Sequence, residues 1–135
     1  EDGMATGIEL TEAGRSHPMM AGRRDGFAVP CTHRDEVVRL PEGAVRLAGN
    51  SHSEVQAFAI DRDGIDFWGM QYHPEFSPSY VGRYLGDMHR VPPQVADDLM
   101  LAERDDAAAL RLSTSLADQG DAVRMLELRN WMARL

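Results

Sequence analysis

The sequence predicts an α/β chain, with strands up to residue 72 and helices from residue 77 onward. Short apolar runs rich in β-branched and aromatic residues, punctuated by Gly, Asn and Asp, fill the first half. Asp63-Gly64 between two such runs is the signature of a tight hairpin. After Glu75 the pattern changes to Ala- and Leu-rich stretches with three- and four-residue apolar spacing and recognisable caps.

Gly7-Ile8-Glu9-Leu10-Thr11 alternates as a sheet strand does, and residues 12–18 read as a turn. His17 in that turn is expected to be a lone surface histidine, because no second ligand lies at metal spacing. Phe27-Ala28-Val29 predicts a short strand stopped by Pro30, with Cys31-Thr32-His33 as its continuation or a turn. Residues 35–40 carry acids at the start and Pro41 after the end, which predicts one or two helical turns. Residues 44–48, 55–60 and 65–72 read as three strands, the last two antiparallel neighbours across Asp63-Gly64.

Ser77 is the expected N-cap, and Pro78 the first-turn residue, of a helix running to about residue 88. Pro92-Pro93 breaks it and opens another helix, on which Val95, Leu99 and Ala102 share a face. Residues 103–118 are Ala- and Leu-rich and end at Gly120, a stop signal. Asp121 is the expected cap of the last helix, with Met125, Leu128, Met132 and Leu135 as its buried stripe and Trp131 beside it. No internal repeat or low-complexity linker divides the chain, so a single domain is expected.

The chemistry concentrates at Gly69-Met70-Gln71-Tyr72-His73-Pro74-Glu75. In extended chain residues i and i+2 face one way, so His73 and Glu75 can project together, and Pro74 restricts the geometry between them. A carboxylate beside an imidazole selects its tautomer and stabilises the imidazolium that forms when the ring takes a proton. A packing role at the strand end remains the alternative on these residues alone.

Gln71-Tyr72-His73-Pro74-Glu75 resembles the second half of the catalytic signature of class I glutamine amidotransferases, whose triad is Cys, His and Glu. His33-Arg34-Asp35-Glu36-Val37, Leu40-Pro41-Glu42-Gly43-Ala44, Leu47-Ala48, Glu54-Val55-Gln56-Ala57-Phe58 and Gly69-Met70 continue the likeness in the same order, over roughly residues 7–77. It is similar above all to stand-alone domains related to the amidotransferase part of GMP synthase. The resemblance implies a three-layer, flavodoxin-like α/β fold with an open mixed sheet, here partial and followed by a helical C-terminal extension. It implies His73 and Glu75 as triad members, no cofactor, and L-glutamine or another γ-glutamyl compound as substrate. It also implies ammonia passing to an acceptor site or a synthetase partner. Carried residue by residue, it places Thr32, Arg34 and Asp35 near the glutamine pocket; a solvated turn is the other reading of those three.

The family sets its Cys in a glycine-flanked elbow well before this region, and no Gly-x-Cys-x-Gly occurs here. The chain is therefore expected to be the C-terminal part of one amidotransferase domain. Residues 1–77 would hold strands and the His/Glu site, 78–135 the helical extension, and the nucleophile half would be absent, leaving this segment inactive alone. A γ-glutamyl hydrolase of the same fold and a non-catalytic regulatory domain lacking the thiol are the rival readings. Cys31, flanked by Pro30 and Thr32, lacks the glycines that let a nucleophile stand on a sharp turn. A metal site at Cys31-x-His33 would need ligands that His17, His52 and His89 do not obviously supply.

Composition narrows the rest. A net charge of −8 with no basic cluster argues against a nucleic-acid partner, and Arg23-Arg24 reads as surface. All 14 basic residues are Arg, which removes Schiff-base and P-loop lysine chemistry from this segment. Nothing approaches the ~18 apolar residues of a membrane span, and a single cysteine forms no internal disulfide, which fits a cytoplasmic setting. Uncovered sheet edges in a partial domain predict association between copies.

Overall fold

The computed structural model describes all 135 residues. Five strands, β1 (Asp2–Leu10), β2 (Phe27–Thr32), β3 (Ala44–Gly49), β4 (Ala57–Arg62) and β5 (Ile65–Met70), form one sheet in the order β2-β1-β3-β4-β5. The α/β class expected from the sequence is the observed one, and every strand pairing within it is antiparallel, so the mixed pairing expected of the sheet is not present among these five strands. β1 curls the sheet. Its first half pairs with β2, the register shifts between Ala5 and Ile8 where Gly7 adopts φ 58°, and only Glu9 and Leu10 pair with β3.

β2 runs straight through Pro30, which was expected to stop it. Pro30 pairs with Met4 from the outermost strand, where a missing N–H costs no ladder bond. The β4–β5 hairpin forms as predicted, with Arg62 opposite Ile65 and positive φ at both Asp63 (55°) and Gly64 (80°). β5 ends at Met70, two residues before the expected end. Residues 12–18, read as a turn, instead form helix α1 (Glu12–Ser16), capped by Thr11 Oγ1 accepting from Gly14 N, and then a 3-10 turn at Pro18–Met20. The helical turns expected over residues 35–40 are absent. That loop holds Val37-Val38 and ends at Pro41, and so short a segment cannot meet the cost of helix nucleation unaided.

The helices follow as α2 (Pro78–Asp87), α3 (Pro93–Leu101), α4 (Asp106–Arg111), α5 (Leu116–Gln119), α6 (Asp121–Arg124) and α7 (Leu126–Met132). Ser77 caps α2 by accepting from Tyr80 N, as its sequence implies. The Ala/Leu-rich stretch breaks where Ser113 takes φ 57° and Ser115 caps α5. Gly120, not Asp121, occupies the N-cap position of α6.

Two apolar clusters result. One lies inside the curl, built on Ile8, Val29, Leu47, Ala57, Met19 and Tyr72. The other, of Val81, Leu85, Leu99, Ala102 and Leu112, lies between α2, α3 and α4, with Met4 of β1 packed against it. Gly82 lets α2 and α3 touch: a Cβ there would sit 2.7 Å from Leu99 Cβ and 2.8 Å from Ala96 O. Gly82→Val is expected to lower stability by about 1–3 kcal/mol, read as a shift of the denaturant midpoint; an unmoved midpoint would contradict this packing.

Arg111 forks onto Asp98 through Nη2 at 2.7 Å and Nε at 3.0 Å, tying α4 to α3. Hydrogen bonding from Arg111 holds the Asp98 carboxyl below the usual carboxylate range. A depressed folded-state pKa adds stability above the ordinary carboxylate pKa, and that stability is lost as pH falls through the folded value. Asp98→Asn is therefore expected to flatten the acid limb of Tm against pH. An acid limb as steep as the wild type's would refute the linkage.

Candidate active site

Beyond Met70 the chain leaves β5 and crosses the mouth of the curl. Gln71 N donates to Gln56 O (2.9 Å) beside β4, and His73 N donates to Pro30 O (2.8 Å) on β2. His73 to Phe76 then close a β-turn, with Phe76 N donating to His73 O at 3.2 Å and Pro74 at the position where a fixed φ is favoured. His73 and Glu75 meet because of this turn, not through strand alternation. His73 Nδ1 lies 2.7 Å from Glu75 Oε1, with side chains 32% and 43% exposed. An ionised carboxylate only accepts, so the shared proton belongs to Nδ1, and in the neutral ring that leaves Nε2 with a free lone pair. The ring stacks on Phe76 at 4.9 Å, and Phe76 meets Tyr80 in a tilted contact at 4.8 Å. The pair is thus held in contact on a turn, open to solvent on one side.

Behind the turn is a buried polar network that the sequence pattern did not reveal. Tyr72 OH donates to Glu127 Oε1 (2.8 Å), and Arg23 forks onto the same carboxylate through Nε (2.7 Å) and Nη2 (2.8 Å). Arg23 Nη2 also donates to Arg124 O, and the Arg23 guanidinium stands 4.6 Å over the Phe27 ring. Burial, followed by the Glu127 charge, pushes the Tyr72 phenol well up. Arg124 reaches the carbonyls of Pro74 and Phe76. Arg23, read as surface, is buried, and so are Arg124 and Glu127; the expected stripe leaves Met132 and Leu135 exposed.

The residues inferred for a glutamine pocket are scattered. Thr32 Oγ1 donates to Asp2 Oδ1 (3.0 Å), a carboxylate that Arg90 also holds. Arg34 and Asp35 are exposed, and the Asp35 carbonyl accepts from Gln71 Nε2 (3.1 Å), which links that loop to the His73 segment. Cys31 is fully buried in the sheet cluster, and burial pushes its thiol up, the reverse of what a nucleophile needs. Glu1, Cys31 and His33 bring three donor atoms within 4.8 Å of one another. The Glu1 carboxylate is already held by Asn50 (3.0 Å) and Gln56 (2.6 Å) amides, as a hydrogen-bonded cluster requires. His17 caps the 3-10 turn through Nδ1 and leans on Trp68; burial lowers its pKa.

The fold and the His-Pro-Glu turn point to one class of protein. The model of the glutamine amidotransferase class-I family matches residues 4–87, and the chain belongs to that family. It is 51% identical over 77 residues to a γ-glutamyl-L-1-hydroxyisopropylamide hydrolase of Pseudomonas sp., covering 57% of this chain and 26% of that protein. It is 40% identical over 81 residues to a glutamine-hydrolysing GMP synthase subunit of Methanoculleus marisnigri, covering 60% of this chain and 41% of that one. The chain thus spans well under half of these relatives. The crystal structure of SMU.1228c shares the fold, with a TM-score of 0.61 at 21% identity over 97% of this chain and 52% of that chain. No helix is long and apolar enough to cross a membrane.

Proposed function

We propose that His73 and Glu75 are the base and its orienting carboxylate in a Cys–His–Glu triad that hydrolyses the γ-amide of L-glutamine to glutamate and ammonia. In this reading residues 1–135 are the C-terminal part of one amidotransferase domain, and the thiol comes from a segment outside them, since Cys31 is buried. The observation that supports it most is the 2.7 Å contact of Nδ1 with Oε1 on a solvent-facing turn, within a family match that spans it.

The steps follow from the donor set. His73 Nε2 takes the proton of the thiol, and the thiolate attacks the carboxamide carbon. The C–N bond breaks, and ammonia leaves with the proton returned by the imidazolium. Water, losing a proton to Nε2, then attacks the thioester; glutamate departs and the thiol is restored. Glu75 holds the ring through each transfer. Ammonia passes to an acceptor site, on a synthetase partner or in the same protein, and the setting is cytoplasmic. The 135 residues alone are expected to be inactive.

The 51% identity to a γ-glutamyl amide hydrolase favours a second reading, in which the same triad releases a larger amine than ammonia. Assaying the full-length gene product with L-glutamine and with γ-glutamyl alkylamides separates the two. Faster ammonia release supports the amidotransferase, faster amine release the hydrolase. No hydrolysis of either would leave a regulatory domain as the reading. Val45, Ile65 and Phe67 stay exposed on β3 and β5, in line with the expected association of copies; light scattering of a clean monomer at high concentration would count against it.

A further inference from the structure

The residues around the catalytic turn divide by parity. Tyr72, Pro74 and Phe76 are each held from the C-terminal helices: the phenol by Glu127, and the two carbonyls by Nη1 of Arg124. His73 and Glu75, between them, present the half-exposed side chains. Both gripping residues lie beyond residues 4–87, the part of the chain that the family model matches. Their placement is a property of this extension, not of the matched region.

We propose that residues 119–127 form a brace that sets the geometry of the His73–Glu75 pair, with Arg124 as its principal positioning residue. The inference deepens the proposed function, since it takes His73 as the base of that reaction. Arg124 is suited to the task because its planar fork offers five donors in fixed directions. Nε donates to Gln119 O (3.3 Å), Nη2 engages Asp121, and Nη1 spans the carbonyls on either side of Glu75. Arg124 fixes the peptide before Glu75 through Pro74 O, and Phe76 N, donating to His73 O at 3.2 Å, fixes the peptide after it, which together restrict the backbone torsions of residue 75 and so the position of its carboxylate under Nδ1. Glu127 gives a second anchor one residue before His73, and Arg23 locks that anchor to the loop preceding β2. Arg124 reaches neither the imidazole nor the Glu75 carboxylate, so it acts on rate through geometry. Displacing a reacting group by about 1 Å costs on the order of 100-fold in rate.

The test uses the full-length gene product with Arg124→Ala and Arg124→Lys, scored for hydrolysis of L-glutamine and a γ-glutamyl alkylamide. For Arg124→Ala, kcat is expected to fall about 10- to 100-fold while KM stays within about threefold, the split expected when only the transition-state geometry is disturbed. The downfield proton resonance of His73 Nδ1–H, bonded to Glu75, is expected to broaden or vanish, a change that lost stability alone would not produce in a folded sample. Lysine keeps the charge and a donor for the two carbonyls but cannot also hold Gln119 O and Asp121, so Arg124→Lys is expected to restore only part of the rate; it also decides the matter if the alanine variant does not fold. Unchanged kcat together with an unshifted Nδ1–H resonance in a folded variant overturns the brace. A His73→Ala protein that still hydrolyses both substrates overturns the proposed function instead, and the resonance then judges the brace by itself.

Discussion

Glu127→Ala is expected to destabilise the fold by about 3–5 kcal/mol, the cost of leaving a buried charge without its partner. Arg23 and Glu127 side chains are 2% and 0% exposed, so bulk solvent does not screen the pair. Removing it strands the Arg23 guanidinium and the Tyr72 hydroxyl together. Chemical denaturation of the wild type, Arg23→Met, Glu127→Leu and the double variant that combines them gives the coupling. The double variant is expected to recover much of the loss, since paired apolar replacements of buried ion pairs are often neutral. Single-variant losses below about 1 kcal/mol would match a surface pair and contradict the network.

The other large effect is catalytic. In the full-length gene product His73→Ala is expected to reduce kcat by on the order of 10⁶-fold, the scale on which removing a triad base acts. Glu75→Gln is expected to cost less, about 10⁴-fold, because its amide oxygen can still accept from Nδ1–H while the negative charge is gone. Equal activity in all three proteins would remove the pair from the mechanism. Both variants alter half-exposed side chains on a turn whose backbone is held elsewhere, so Tm is expected to stay near the wild-type value.

Much of the fold was legible because it is written in local chemistry. Asp63-Gly64 specified the hairpin, Ser77-Pro78 the start of α2, and Pro93 the start of α3. The order of short motifs up to Glu75 identified the family, and the matched region includes the His-Pro-Glu turn. What escaped was set by distant partners. Pro30 reads as a strand breaker until it is known to lie on the outermost strand. Arg23, Arg124 and Glu127 look like solvated charges, and only folding brings residues 101 and 104 positions apart into hydrogen-bonding reach. The alternation argument for His73 and Glu75 brought the right two groups together by the wrong route, since a turn closed by Phe76 N does so. Hydrophobic periodicity likewise placed Met132 and Leu135 inside, whereas α7 buries Glu127 against Tyr72.

The most direct test of the account is a search for the thioester. The full-length gene product is mixed with L-glutamine or a γ-glutamyl alkylamide, quenched in acid and mapped by mass spectrometry, alongside His73→Ala. A γ-glutamyl group on a cysteine other than Cys31 in the wild type, absent from His73→Ala, is the expected result. Substrate turnover with no such adduct, at a rate the variant matches, would contradict it.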